Sequence, residues 1–291
     1  MIKNKTIKFF LPLIPIIFWG LSFIATKQLL KEISPELIIV MRLILAIVLL
    51  LAILIFSRVS FSIDLENVKK ILLLSTVAVF HLWIQITGLK FTSASNTGWI
   101  IGTAPIFIAI LGYFYFKEKI SFKKLIGIII AFSGLLLLVG KGNPFNVDLI
   151  NNVGDWLVLL SSFTWGVYSI INKKITLSFS PLKTIFYLFL VMMIIILPFN
   201  LNEQNIHSII KLSAVGWMNI MFLGLLCSGV SYVIWAYLLR EMSSAKVGAY
   251  LYIEPFITFL GAWILLKEDI SLIMLLSGVI ITVGVYLVNK E

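Results

Sequence analysis

Ten stretches of the chain are almost continuously apolar, and short polar or charged segments separate them: Phe10–Leu29, Leu37–Phe56, Val68–Gly88, Ser95–Phe116, Leu125–Val139, Gly154–Asn172, Leu182–Phe199, Ala214–Leu238, Val247–Leu266 and Leu272–Val288. Most approach or exceed the ~20 residues a helix needs to cross the hydrocarbon core. The fifth is short and extends naturally back to Phe122. Apolar runs of this length predict membrane-spanning helices. The expected fold class is therefore an all-α polytopic membrane protein with ten transmembrane helices. The connecting segments leave no room for a second, soluble domain. The basic, then apolar N-terminus resembles a signal peptide, but no small-residue cleavage site follows, so it reads as an uncleaved first helix.

Composition agrees. Of 291 residues, 60% are hydrophobic and 12% charged, and mean hydropathy is +1.08. Soluble domains are about 45–50% apolar and about 25% charged. The net charge of +10 would suggest a nucleic-acid partner in a soluble protein. Here its distribution matters more. With ten spans, sixteen Lys and Arg residues fall on the side of the termini and six on the other, with Arg42 inside the second span. The positive-inside rule then places both termini in the cytoplasm of a prokaryotic plasma membrane, and no nucleic acid is needed as partner. The single cysteine, Cys227, lies in an apolar stretch, which leaves no disulfide framework.

The chain also repeats itself. At an offset of 146, Trp19-Gly20 matches Trp165-Gly166, Lys27 matches Lys173 and Ser34-Pro35 matches Ser180-Pro181. At an offset of 150, Leu89, Gly98, Pro105 and Gly134 match Leu239, Gly248, Pro255 and Gly284, and Lys117-Glu118-x-Ile120-Ser121 matches Lys267-Glu268-x-Ile270-Ser271. The predicted units are residues 1–146 and 147–291. Five helices is an odd number, so the second unit enters the membrane inverted. Inverted repeats are typical of secondary transporters, with the solute site near the midplane between them.

These residues resemble the EamA family of the drug/metabolite transporter superfamily: Phe18-Trp19-Gly20-x-Ser22-Phe23, Met41-Arg42-Leu43, Pro105-x-Phe107 running to Lys117-Glu118, and Glu254-Pro255-Phe256 running to Lys267-Glu268. The resemblance covers nearly the whole chain and implies a ten-helix carrier of small metabolites, which in this family include amino acids, sugars, nucleotides and other solutes; an amino acid is the example the leading reading takes. Two positions break the repetition. Leu188 stands where a second Arg42 would be, and Ala104 where a second Glu254 would be.

Ionisable residues at membrane depth are rare and mark candidate sites. Glu254 lies about 14 Å into the ninth span at 1.5 Å per residue and precedes Pro255, which removes a backbone donor. It suits a substrate amine or a coupling proton. Arg42 either snorkels outward, pairs with Glu254 or binds a substrate carboxylate. His81 and Gln85 share a face of the third span, and His81 is a second candidate for proton coupling. Trp19, Ser22 and Thr26 share a face of the first span, and Trp165, Tyr168 and Asn172 occupy matching positions of the sixth. Aromatic walls with a few polar groups suit a solute pocket. Ser228, Ser231 and Trp235, Tyr250, and Asn96 with Trp99 are further lining candidates. Lys117-Glu118 and Lys267-Glu268 read as interfacial anchors or loop ion pairs.

The stretch from Gly134 to Gly140-Lys141 has the wrong spacing for a phosphate loop. No HExxH or GxSxG motif occurs, so no cofactor or metal is expected. A secondary transporter working as an exporter is the leading reading, with a proton as candidate coupling ion. A lipid flippase and a membrane enzyme on lipid-linked substrates are the alternatives. The enzyme is disfavoured because Asp64, Glu66, Asp148 and Asp155 are scattered over different loops.

Overall fold

A computed structural model describes residues 10–139, 152–200, 203–266 and 272–290. Among them the chain is helical and contains no strand. The helices are α1 (Leu13–Leu29), α2 (Pro35–Phe56), α3 (Leu65–Phe91), α4 (Ala94–Ile101), α5 (Ala104–Phe116), α6 (Phe122–Val139) and α7 (Val153–Thr176). They continue with α8 (Pro181–Ile196), α9 (Glu203–Ile210), α10 (Ala214–Met221), α11 (Ser231–Glu241), α12 (Ser244–Ala249), α13 (Glu254–Leu266) and α14 (Leu272–Asn289). Among the described residues, six runs suffice by length and apolarity to cross a membrane: Pro35–Phe56, Leu65–Phe91, Ala94–Phe116, Pro181–Phe199, Ala214–Glu241 and Ser244–Leu265. Leu13–Leu29 and Leu275–Asn289 are shorter apolar helices. The fifth and sixth expected spans are the helices α6 and α7.

Polar caps start the helices where the sequence leaves the apolar runs. The Ser34 hydroxyl accepts from the Leu37 N–H at 3.2 Å, with Pro35 in the first turn. Asp64, Ser93, Asn152 and Ser213 cap their helices in the same way. Each cap satisfies a donor that the helix itself leaves orphaned.

The seventh expected span ends in a 3₁₀ turn, Leu197–Phe199, and three others change their helical rhythm within their length. The fourth breaks between α4 and α5, at Gly102-Thr103 just before Pro105. The ninth passes from α12 through a 3₁₀ turn, Tyr250–Ile253, into α13 just before Pro255. The two breaks fall at equivalent points of the repeat. In both, a proline lacks the N–H that would continue the ladder. The eighth span widens into a π-helical stretch, Phe222–Val230, between α10 and α11. Helix α9 lies outside the ten stretches and carries His207 in its last turn.

Packing contacts recur in pairs. A Cβ on Gly20 would meet Ile257 at 2.9 Å, and one on Gly166 would meet Phe107 at 3.0 Å. Residues 20 and 166 correspond by 146, and 107 and 257 by 150. Helices α6 and α14 pack along their length on small residues. A Cβ on Gly284 would stand 2.7 Å from the Ala131 Cβ and against the Ala131 backbone nitrogen, while one on Gly134 would meet Ile281 at 2.9 Å. In lipid, where burial adds little between helices, such close approach is a main source of association.

Two polar knots tie the halves at opposite ends of the repeat pattern. In one, the chain reverses after α5 through Lys117 at φ 52°. Glu118 then accepts from Lys173 Nζ at 2.6 Å, from the Ser244 N–H at 2.8 Å and from Ser244 Oγ at 3.0 Å. Lys173 Nζ also donates to the Met242 carbonyl at 2.8 Å. In the other, Lys27 Nζ donates to the carbonyls of Leu89 at 2.8 Å and Thr92 at 2.6 Å. Nearby, Asp155 accepts from Thr92 Oγ1 and Asn96 Nδ2, each at 2.6 Å. The loop ion pair expected for Glu118 is thus present. Lys267-Glu268, the basic N-terminus and Gly140-Lys141 lie outside the described residues. Burial alone pushes the Glu118 carboxyl up. The hydrogen bonds from Lys173 and Ser244 and the Lys173 charge outweigh burial and hold it below its ordinary value.

Gly284→Leu is expected to lower the thermal midpoint, because overpacking typically costs ~1–3 kcal/mol. Val279→Leu, on the same helix but 61% exposed, is expected to leave it unchanged. Equal midpoints for the two variants would contradict the α6–α14 contact. A carboxyl with a depressed folded pKa stabilises fully above its ordinary value, and this is lost as pH falls through the folded value. The gap in thermal midpoint between wild type and Glu118→Gln should therefore be widest near neutral pH and close below about pH 4.3. A gap constant from pH 7 downward would sink this assignment.

Candidate functional site

The centre of the bundle is an aromatic cluster. Trp19 on α1 meets Trp165 on α7 edge-to-face, ring centroids 5.1 Å apart. Tyr232 lies 5.7 Å from each, and Trp235 lies 5.4 Å from Trp19. Tyr168 stacks on Trp165 at 4.9 Å and His81 lies against it at 5.1 Å. Beside the cluster opens a narrow cavity of about 40 Å³, lined by Trp19, Ser22, Phe23, Arg42, His81, Leu82, Gln85, Ile101, Trp165, Tyr232, Leu251 and Glu254.

The π-helical stretch supplies polar groups here. Widening the turn frees carbonyls from the regular i→i−4 ladder. The Cys227 carbonyl accepts from Trp19 Nε1 at 2.9 Å, which fixes the indole. Ser228 in the same stretch accepts from Arg42 Nε at 2.8 Å. Arg42 is only 4% exposed and is turned inward, so outward snorkelling is not what it does. Its remaining guanidinium donors belong to a group that lines the cavity.

Glu254 begins α13 and is 3% exposed. It is brought to α1 because Gly20 has no side chain to hold the helices apart. A Cβ there would stand 3.0 Å from the Glu254 carbonyl, and Thr258 Oγ1 bridges the helices by donating to the Gly20 carbonyl at 2.9 Å. Arg42 and Glu254 line one cavity without an ion pair between them. A guanidinium and a carboxyl are thus presented separately to whatever enters.

His81 is 3% exposed, with Nδ1 2.9 Å from the Ser161 carbonyl. A carbonyl only accepts, so Nδ1 carries the hydrogen and, in the neutral ring, Nε2 is the acceptor. Ser22 lines the cavity, but its hydroxyl donates to the Trp19 carbonyl at 2.7 Å.

The other sequence candidates stand outside the cavity lining and support it. Tyr168 accepts from Asn172 Nδ2 at 3.1 Å. Trp235 Nε1 donates to Ser169 Oγ at 3.2 Å. Ser231 Oγ turns back to the Leu226 carbonyl at 2.8 Å. Thr26 and Tyr250 are buried in the bundle. Asn96 belongs to the Asp155 knot. Trp99 packs partly buried against the core. Sequence reasoning missed Tyr232, whose signal was its position one turn after Ser228 on the same helical face. It also read Asp155 as a loop residue, whereas Asp155 is fully buried in the first turn of α7.

Residues 6–140 and 152–290 both match the EamA-like transporter family. An uncharacterized transporter of Archaeoglobus fulgidus is 29% identical over 279 residues, covering 94% of each chain. An uncharacterized transporter of Bacillus subtilis is 26% identical, covering 93% of this chain and 92% of its own. A probable amino-acid metabolite efflux pump of Escherichia coli is 27% identical, covering 95% of this chain and 93% of its own. A crystal structure 14% identical superposes with a TM-score of 0.77 over 98% of this chain and 96% of that one, a likeness of fold. Nothing among these relatives supports a membrane enzyme. The apolar helices and a family match over both halves lead to one conclusion: the chain is a multi-pass membrane protein and belongs to the EamA-like transporter family.

Proposed function

We propose that the protein is a secondary transporter that exports a small zwitterionic metabolite, such as an amino acid, through the cavity between two inverted five-helix repeats. The observation that carries this reading is the cavity itself. It holds a guanidinium, Arg42, and a carboxyl, Glu254, both buried and without an ion pair between them, beside aromatic walls. Arg42 suits a carboxylate, which its planar fork binds well. Glu254 suits an ammonium group, and Trp19, Trp165 and Tyr232 suit an apolar or aromatic side chain. The name of the Escherichia coli relative points the same way.

The paired contacts support the inverted repeat, with units 1–146 and 147–291. Trp19 and Trp165, equivalent by 146 residues, touch each other, as positions near a pseudo-twofold axis must. Lys27 bonds the Thr92 carbonyl and Lys173 the Met242 carbonyl, and these pairs are exchanged by the same two offsets. Ligand pockets usually measure ~300–1,000 Å³, so a cavity of about 40 Å³ is a closed state that must open to take a solute. Alternating access follows if the knots at the two ends release in turn. With both termini cytoplasmic in the plasma membrane, the Glu118–Lys173 knot faces the cytoplasm and the Lys27 knot the exterior.

Coupling falls to Glu254. One carboxylate that holds either a proton or the substrate ammonium, not both, exchanges one for the other. Proteoliposomes loaded with labelled amino acids should release at least one of them faster under an imposed proton gradient. Glu254→Gln should abolish the proton-driven part while the protein stays folded, and undiminished proton-driven flux in that variant would refute the coupling role. Arg42→Gln should raise the half-saturating concentration roughly tenfold or more, the worth of a charged hydrogen bond. An unchanged value would remove Arg42 from the carboxylate site.

A further inference from the structure

A second hollow lies on the outside of the bundle, where α3, α5 and α7 meet. It encloses about 330 Å³ and shares no lining residue with the central cavity. Ile170 and Ile175 form its buried floor, and Leu73, Leu111 and Val167 its walls. At its mouth stand Lys70 and Lys174. Val167 lies seven residues from Lys174, so the apolar part reaches ~10 Å inward from the charged end at 1.5 Å per residue.

We propose that this groove is a binding site for one acyl chain of an anionic phospholipid, with Lys70 and Lys174 holding its phosphate. The apolar and charged parts stand in the order in which a lipid presents its tail and head. The depth is that of the outer part of one leaflet. All three helices end on that face of the bundle: Lys70 is in the second turn of α3, Tyr115 in the last turn of α5 and Lys174 in the last turn of α7. The Lys174 ammonium lies over the Tyr115 ring, 5.1 Å from its centroid. This holds the charge at the mouth without neutralising it. Lys70 pairs with Glu66, whose side chain is 78% exposed, and such solvated pairs are weak. A phosphate can therefore compete for Lys70. Basic pockets between transmembrane helices take anionic head groups in this way. Because the groove does not join the central cavity, the lipid is a resident of the bundle surface and not cargo.

The test uses the full chain, purified and delipidated in detergent, with dioleoylphosphatidylglycerol, dioleoylphosphatidylcholine and glycerol phosphate as separate probes. Native mass spectrometry and thermal unfolding read binding. The expected result is retention of phosphatidylglycerol with a raised midpoint, little effect of phosphatidylcholine and none of glycerol phosphate. Lys70→Gln with Lys174→Gln should weaken phosphatidylglycerol binding roughly tenfold or more, at about one surface lysine's worth for each. If the double variant aggregates, Lys174→Gln alone gives the same comparison, because Lys174 is exposed. Val167→Trp, which fills the groove, should reduce retention with both lysines in place. Equal effects of the two lipids, equal effects of glycerol phosphate, or binding unchanged in the lysine variants would overturn the proposal.

Discussion

Hydrocarbon offers no hydrogen bonds, so every peptide and polar group that enters it must find a partner inside the protein. The rest of this structure depends on that constraint. It makes the described apolar stretches helical along most of their length. It also explains where the polar groups go when a helix is interrupted. The π-helical stretch Phe222–Val230 is the clearest case. It loosens the ladder of its own helix, and Trp19 Nε1 takes the Cys227 carbonyl while Arg42 Nε takes Ser228. The two break points before Pro105 and Pro255 fall at the same place in each half. At one of them the chain delivers Glu254 to the centre.

The halves share a scaffold and divide the chemistry. Trp19 and Trp165 meet at the centre, and glycine contacts recur in exchanged pairs. The charged residues that line the cavity do not recur. Leu188 and Ala78, equivalent to Arg42 and Ser228, are both buried and apolar. Ala104, equivalent to Glu254, is fully buried. The matching residues thus form two similar walls, and Arg42 and Glu254, which have no counterparts at the matching positions, add a guanidinium and a carboxyl to them.

Much of the candidate site was legible because burial of charge in a bilayer is costly enough to be rare. Glu254, Arg42 and His81 stood out in an apolar background, and all three line the cavity. Helical spacing placed Trp19 with Ser22 and His81 with Gln85 correctly. Spacing could not separate the residues that face the cavity from those one layer behind it. Tyr168, Asn172, Ser231 and Trp235 lie on the right helices, but they bond to neighbours within the bundle. Asp155 was invisible for a different reason. Nothing in an acidic residue at a helix start reveals that Thr92 and Asn96 from another helix junction will enclose it.

The sequence by itself determined an all-helical membrane protein, the approximate limits of its apolar segments and a weak internal repeat. These are local or periodic properties, written in apolar run length and in Trp, Gly and Pro at fixed offsets. Tertiary structure alone decided which of those helices touch and where their rhythm breaks. It also decided that Arg42 turns inward to Ser228 rather than outward to water, and that Glu118, Lys173 and Ser244 close one end together. Each of these joins residues more than fifty positions apart. Such contacts depend on how helices pack, and no single apolar stretch carries that information.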